Sequence, residues 1–147
     1  PARAIECVAS CVAPGGLLVL GFYESAARLF HRARRALARP LAGPIRVLDP
    51  VLRRTDLPAD KRRIWIEDQY HHPREHLLPL PPVLALLERL GFAWLRSVPP
   101  AVETGLFQAT PRPGRLALAR LRLGWCLRGV NDPDAGLVML LARRQRA

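Results

Sequence analysis

The stretch that most restricts what this chain can fold into is Ala13-Pro14-Gly15-Gly16 followed by Leu17-Leu18-Val19-Leu20-Gly21-Phe22-Tyr23. A short, continuous apolar run bounded by turn residues is the pattern of a strand covered on both faces, in the middle of a sheet. Strands of that kind belong to α/β proteins, so the segments on either side are expected to alternate between helix and strand.

They do alternate. Before the run, Ile5, Val8, Cys11 and Val12 recur at helical spacing and are stopped by Pro14 and Gly15. After it, Ser25 is placed to cap a helix reaching Arg39, where Pro40 ends it. Leu29, Phe30, Ala33 and Leu37 would form one face of that helix, and Arg28, Arg32, Arg35 and Arg39 another. The basic stripe reads either as a solvated face or as a contact for an anionic substrate, a partner or a membrane surface. Residues 41–58 form a connection rich in turn formers, and Asp60 caps a short helical segment through Ile64, Trp65 and Asp68. The polar stretch from Asp68 to His76 is expected to be a loop. Pro81 and Pro82 open an amphipathic helix that Gly91 closes, and Phe92 to Val98 reads as a strand stopped by Pro99 and Pro100. Between Arg115 and Arg128, Leu121, Leu123, Trp125 and Leu127 alternate like a strand, while Leu116, Ala119, Leu123 and Leu127 fit a helix; the helix is favoured. Gly136 to Ala142 is a last buried strand.

With 147 residues, half of them hydrophobic, the chain has enough apolar material for one core. No apolar run reaches the length of a membrane span and the N-terminus carries no signal-type pattern, so a cytoplasmic location is expected. Cys7, Cys11 and Cys126 are odd in number and lack C-x-x-C spacing, and are read as small buried apolar residues. A net charge of +11 raises nucleic acid, anionic lipid or an acidic partner. Against nucleic acid stand the absence of any recognised motif and the composition itself: Lys61 is the only lysine in a chain rich in Arg, Ala, Leu and Pro, a bias that GC-rich coding produces unaided. Helical periodicity from the first residues, and a start at Pro1, give the expectation of a piece whose missing part lies upstream.

The densest chemistry lies between Trp65 and His76. His71, His72, Glu75 and His76 are all metal-ligating types, but Pro73 breaks the helix that would align His72 with His76, and no metal site is expected. Asp68, His72 and Glu75 suit general acid/base work. The same stretch is equally read as a loop whose acids cap turns and whose Trp65 and Tyr70 pack.

Taken in order, Gly21, Phe22 and Tyr23, Asp49 and Pro50, Trp65, Asp68, Gln69, Tyr70, His72, Pro73 and Glu75, then Gly91, Phe92 and Pro99, resemble a subgroup of class I (Rossmann-like) S-adenosylmethionine-dependent methyltransferases with an elaborated segment after the fifth strand. The resemblance covers nearly the whole chain. It implies an α/β fold, the C-terminal part of a Rossmann-like methyltransferase sheet (fifth to seventh strands) with helical insertions. Residues 1–23 would supply a helix end and the central strand, 24–80 a cap-like insertion with the polar loop, 81–98 a helix and strand, 99–135 a second insertion, and 136–142 the final antiparallel strand. It further implies S-adenosylmethionine as cofactor, Asp68, His72 and Glu75 as catalytic residues, and Tyr23, Trp65, Gln69, Tyr70 and His71 as contacts to a methyl acceptor. The chain departs from the pattern in lacking a Gly-rich loop after a first strand and an acidic residue ending a second. Gly15-Gly16 precedes its strand, Glu24 stands where a smaller amide is expected, and Leu77 and Leu78 are more apolar than expected. The upstream half of the same domain is therefore the expected partner, and without it the Leu17 to Phe22 strand would have a bare edge. The rival readings are a non-catalytic interaction domain of degenerate methyltransferase fold and, less well supported, an arginine-rich nucleic-acid binder.

Overall fold

A computed structural model describes residues 1–38, 45–71, 75–100, 108–109, 111–132 and 136–146. Its elements are α1 (Ala2–Ser10), β1 (Leu17–Glu24), α2 (Leu29–Ala38), α3 (Ile45–Leu48), α4 (Ala59–Ile66), a π-helical turn (Glu67–His71), β2 (Leu77–Leu78), α5 (Leu80–Arg89), β3 (Phe92–Val98), α6 (Arg115–Arg128) and β4 (Leu137–Arg144). The fold is mixed α/β. Four strands form one sheet in the order β2-β1-β4-β3, with β1 parallel to β2 and β4 antiparallel to both β1 and β3.

Register settles which residues share a face. Leu18 lies opposite Ala142, Leu20 opposite Leu140 and Phe22 opposite Val138, while Trp94 on β3 also meets Ala142. Directly opposed residues point the same way. These side chains join Ile5 and Ala9 of α1, Leu80, Val83, Leu84 and Leu87 of α5, and Leu118 and Trp125 of α6 in a single core. The other face carries Leu17, Val19, Leu137, Met139 and Val98, all exposed, Val19 at 57%. β1 is therefore buried on one face, which corrects the expectation of two. An all-apolar run carries no alternation from which to read its number of buried faces; that depends on what packs against it, and the helices of this core lie on one side.

The prolines of α5 sit in its first turn and Gly91 follows its end at φ 77°, a conformation L side chains rarely adopt. β3 and α6 occupy the residues expected of them. Three local expectations are corrected. α2 begins at Leu29, because the turn before it is held by the Glu24 carboxylate and not by Ser25. The polar stretch is helical from Glu67 to His71, continuing α4, so only part of it is loop. Cys7 and Cys11 are exposed, and only Cys126 is buried. The outer edge of β1 is covered by β2 at Tyr23 and Glu24, and no other strand lies along it among the described residues.

One-sided burial has a measurable consequence. Leu140→Ala, at a fully buried position of β4, is expected to cost about 2–5 kcal/mol in urea unfolding. Val19→Thr, on the uncovered face, should change stability by no more than about 0.5 kcal/mol. Comparable losses at both positions would contradict this assignment of faces.

Candidate functional site

Because β1 and β3 both oppose β4, they run in the same direction as β2, and the carboxyl ends of all three meet at one end of the sheet. In open α/β sheets that end is where ligands bind. Here it is built around three buried charged side chains: Glu24, Arg28 and Asp49.

Glu24 closes β1 and is fully buried. Its Oε2 accepts from Ala26 N at 2.6 Å and Ala27 N at 3.0 Å, and its Oε1 accepts from Leu80 N at 3.1 Å and Arg122 Nε at 2.8 Å. One carboxylate thereby ties β1 to the turn before α2, the first residue of α5, and α6. A charge out of water persists only when paired and fully hydrogen-bonded, and both oxygens here are.

Arg28 follows. Its guanidinium carbon lies 4.3 Å from the centroid of the Tyr23 ring, its Nε and Nη2 donate to Glu75 Oε1 at 2.8 and 2.5 Å, and both terminal nitrogens reach Gln69 Oε1. Arg35 adds a longer ion pair to Glu75, 3.8 Å. On the remaining side is Gly136 at φ 106°, where an added Cβ would stand 2.2 Å from Arg28 Cδ. Only glycine allows β4 to start that close to the arginine.

Asp49 organises the rest of the insertion. Its Oδ1 accepts from Val51 N at 2.7 Å and Leu52 N at 3.0 Å, and its Oδ2 accepts from Trp65 Nε1 at 3.2 Å and the Tyr70 hydroxyl. Burial and the Asp49 carboxylate hold the Tyr70 phenol well above its ordinary pKa. Tyr70 packs with Leu52 in a small second core flanked by Leu57, Trp65 and Ile66. His31, buried on α2, donates from Nε2 to the Gln69 carbonyl at 3.1 Å. Burial, and then the neighbouring Arg28, lower its pKa to about 4.

The expected site residues thus divide. Tyr23, Gln69 and Glu75 converge on Arg28, and Trp65 and Tyr70 on Asp49. Asp68 is exposed and accepts from Gln69 Nε2 at 2.6 Å; His71 is exposed and donates from Nδ1 to Glu67. His72 lies outside the described residues, as does Arg39. The expected basic stripe is not a surface patch: Arg28 is buried and Arg35 turns toward Glu75. Sequence reasoning missed the roles of Glu24, His31, Arg122 and Gly136, and treated Asp49 as a turn residue. Beside this polar cluster, a cavity of about 400 Å3 opens between the sheet end and α6, lined by Ala27, Val98, Pro99, Trp125, Arg128 and Met139 among others. Among the described residues, no three His, Cys, Asp or Glu side chains converge as metal ligands.

Compared with known proteins, the chain matches no family model and no curated protein. The described residues do not form a cradle for S-adenosylmethionine. Their one Gly-Gly turn is at the opposite end of β1, where Gly15 N donates to the Arg144 carbonyl and a Cβ on Gly16 would meet Val12 and Ala13 at 2.8 Å.

Two outcomes follow from this geometry. Glu24→Gln presents an NH2 where an oxygen now accepts two hydrogen bonds, and should lower stability by about 3–5 kcal/mol in urea unfolding. His31 has a native pKa of about 4 against an unfolded value of 6.5, so protons favour the unfolded state. Its contribution is complete above pH 6.5 and is lost as pH falls toward 4. Unfolding curves across that window should show a steeper loss in the wild type than in His31→Gln; parallel slopes would remove His31 from the pH response.

Proposed function

We propose that this chain is the C-terminal portion of an S-adenosylmethionine-dependent class I methyltransferase, contributing the acceptor-side cap and part of the sheet, with the cofactor-holding half supplied by an upstream part of the same polypeptide. The observation that carries the reading is the sheet. Its last strand in sequence lies between β1 and β3 and is antiparallel to both, the orientation the resemblance requires of a final strand. Trp65 to His71 and Glu75, the described residues of the segment that bears the resemblance, are gathered near the carboxyl end of β1 by Asp49 and Arg28.

In this reading the cavity receives the methyl acceptor between Ala27, Trp125, Arg128 and Asp132. Tyr23, Trp65, Gln69, Tyr70 and His71, the acceptor contacts the resemblance implies, lie outside that lining, and the first four of them brace the polar cluster beside it. An acceptor hydroxyl or amine must lose a proton, and Asp68, His72 and Glu75 are the candidates to take it. Positioning and exclusion of water are the larger contribution of such a cap.

One observation favours a second reading, a non-catalytic scaffold of degenerate methyltransferase fold. Trp65, Tyr70 and Glu75 already spend their polar atoms on Asp49 and Arg28, as braces would.

The polypeptide extended by the upstream residues encoded with it separates the two. It should bind S-adenosylhomocysteine and transfer a labelled methyl group, and replacing Asp68 and His72 by alanine should lower transfer by about 10²–10⁴. Absence of binding by the extended polypeptide would sink the methyltransferase reading, and binding with no transfer would favour the scaffold.

A further inference from the structure

α2 is turned inside out. Arg28 in the turn before it and its own His31, Arg34 and Arg35 face the protein, while Leu29, Phe30, Ala33 and Leu37 face solvent together with Arg32, Leu29 at 52%. α6 adds a second outward apolar stripe. Leu116, Leu123, Leu127 and Val130 recur at spacings of a single helix face and are exposed, Leu123 and Leu127 at 58% each, although Leu118, Trp125 and Cys126 on the opposite side complete its packing.

Two arginines bridge the segments that carry these stripes. Arg122 of α6 reaches Glu24 and Ser25, and Arg34 of α2 reaches the Gly129 carbonyl, so residues 122–129 run alongside residues 24–34 in the same direction. Leu123 and Val130 each directly follow one of those contact residues, and Arg34 Nε also bonds the Phe30 carbonyl. Around the apolar faces stand Arg32, Arg115, Arg120 and Arg128, exposed and with no ion-pair partner among the described residues.

We infer that this platform of α2 and α6 is a membrane-surface contact, taking the anionic headgroup layer of a lipid bilayer. An apolar stripe of this size has to be covered by something. Its rim is cationic, the chain carries a net +11, and exposed arginines around leucine and phenylalanine match an interface whose outer layer is anionic and whose inner layer is acyl chain. No described helix is long and apolar enough to cross a membrane, and the contact inferred is with the bilayer surface. The inference does not draw on the methyltransferase reading, whose upstream half is the competing occupant of the same faces.

Flotation with vesicles tests it, on the 147-residue chain and on the polypeptide extended by its upstream residues; loss of binding in the extended form would overturn it, since the upstream half would then be what covers the stripe. Binding is expected to phosphatidylcholine vesicles containing a quarter phosphatidylglycerol, with little to phosphatidylcholine alone, and should weaken as salt rises from about 0.1 to 0.5 M. Leu123→Gln with Leu127→Gln, at exposed positions that leave the core intact, should weaken binding at least about tenfold. Arg120→Gln with Arg128→Gln should weaken it while leaving circular dichroism unchanged. Equal binding to both vesicle types, indifference to the leucine variants, or loss on Val19→Gln with Met139→Gln, which would move the contact to the sheet face, each overturns the assignment. So does self-association in sedimentation velocity without lipid that the leucine variants abolish, since the occupant would then be a second copy of the chain.

Discussion

The structure hangs on one buried carboxylate. Glu24 is the last residue of β1, and from there it satisfies donors belonging to the next turn, to α5 and to α6. The first N–H groups of a helix have no partner within it, and the amino end favours negative charge; the Leu80 N–H at the start of α5 finds both needs met in the Glu24 side chain. Arg122 supplies the compensating cation from a segment nearly a hundred residues later in sequence. A shorter or neutral side chain at this position would leave several of these groups stranded at once. The residue that departs from the methyltransferase resemblance is thus the one that fixes how the helices leave the sheet.

A second consequence of burying charge is the inverted α2. A helix normally hides its apolar stripe, but the inner wall of the insertion is already polar: Glu75, Gln69 and the Gln69 carbonyl wait for donors. Arg28 and His31 answer that need, and the apolar residues of α2 are left outside. The preference for buried leucine, worth about 1.5–3 kcal/mol per side chain, is outweighed where the alternative is an unpaired buried acid.

This is also where sequence reading reaches its limit. α5, β3 and α6 were legible because each is announced locally, by prolines in a first turn, a terminal glycine, or apolar spacing sustained over several turns. β4 was legible as an apolar run after a turn. What was illegible depends on partners distant in the chain. Arg28, Arg32, Arg35 and Arg39 have the periodicity of a solvated face, and nothing near them in sequence announces Glu75. Asp49 precedes a proline and so resembles an ordinary turn residue, while Trp65 and Tyr70, which give it its role, lie well downstream. β2 is two residues long, shorter than any periodicity. At the candidate site, the residue types between Trp65 and Glu75 were readable, but not that most of them would be engaged with one another.

The place of β4 also orders events in time. Leu17 pairs with Arg143, and Phe92 with Arg144, so the strand that joins the two others is the last of them to leave the ribosome. At about 5–20 residues per second, the edge of β1 that β4 will take waits on the order of ten seconds, its uncharged Leu17 to Phe22 backbone open to whatever strand comes first. β3 waits for less time and is better defended, by the irregularity between Trp94 and Arg96 and the prolines that follow Val98. At this edge the hazard of misassembly lies in the nascent polypeptide, and it ends only when β4 slides between two strands that are already made.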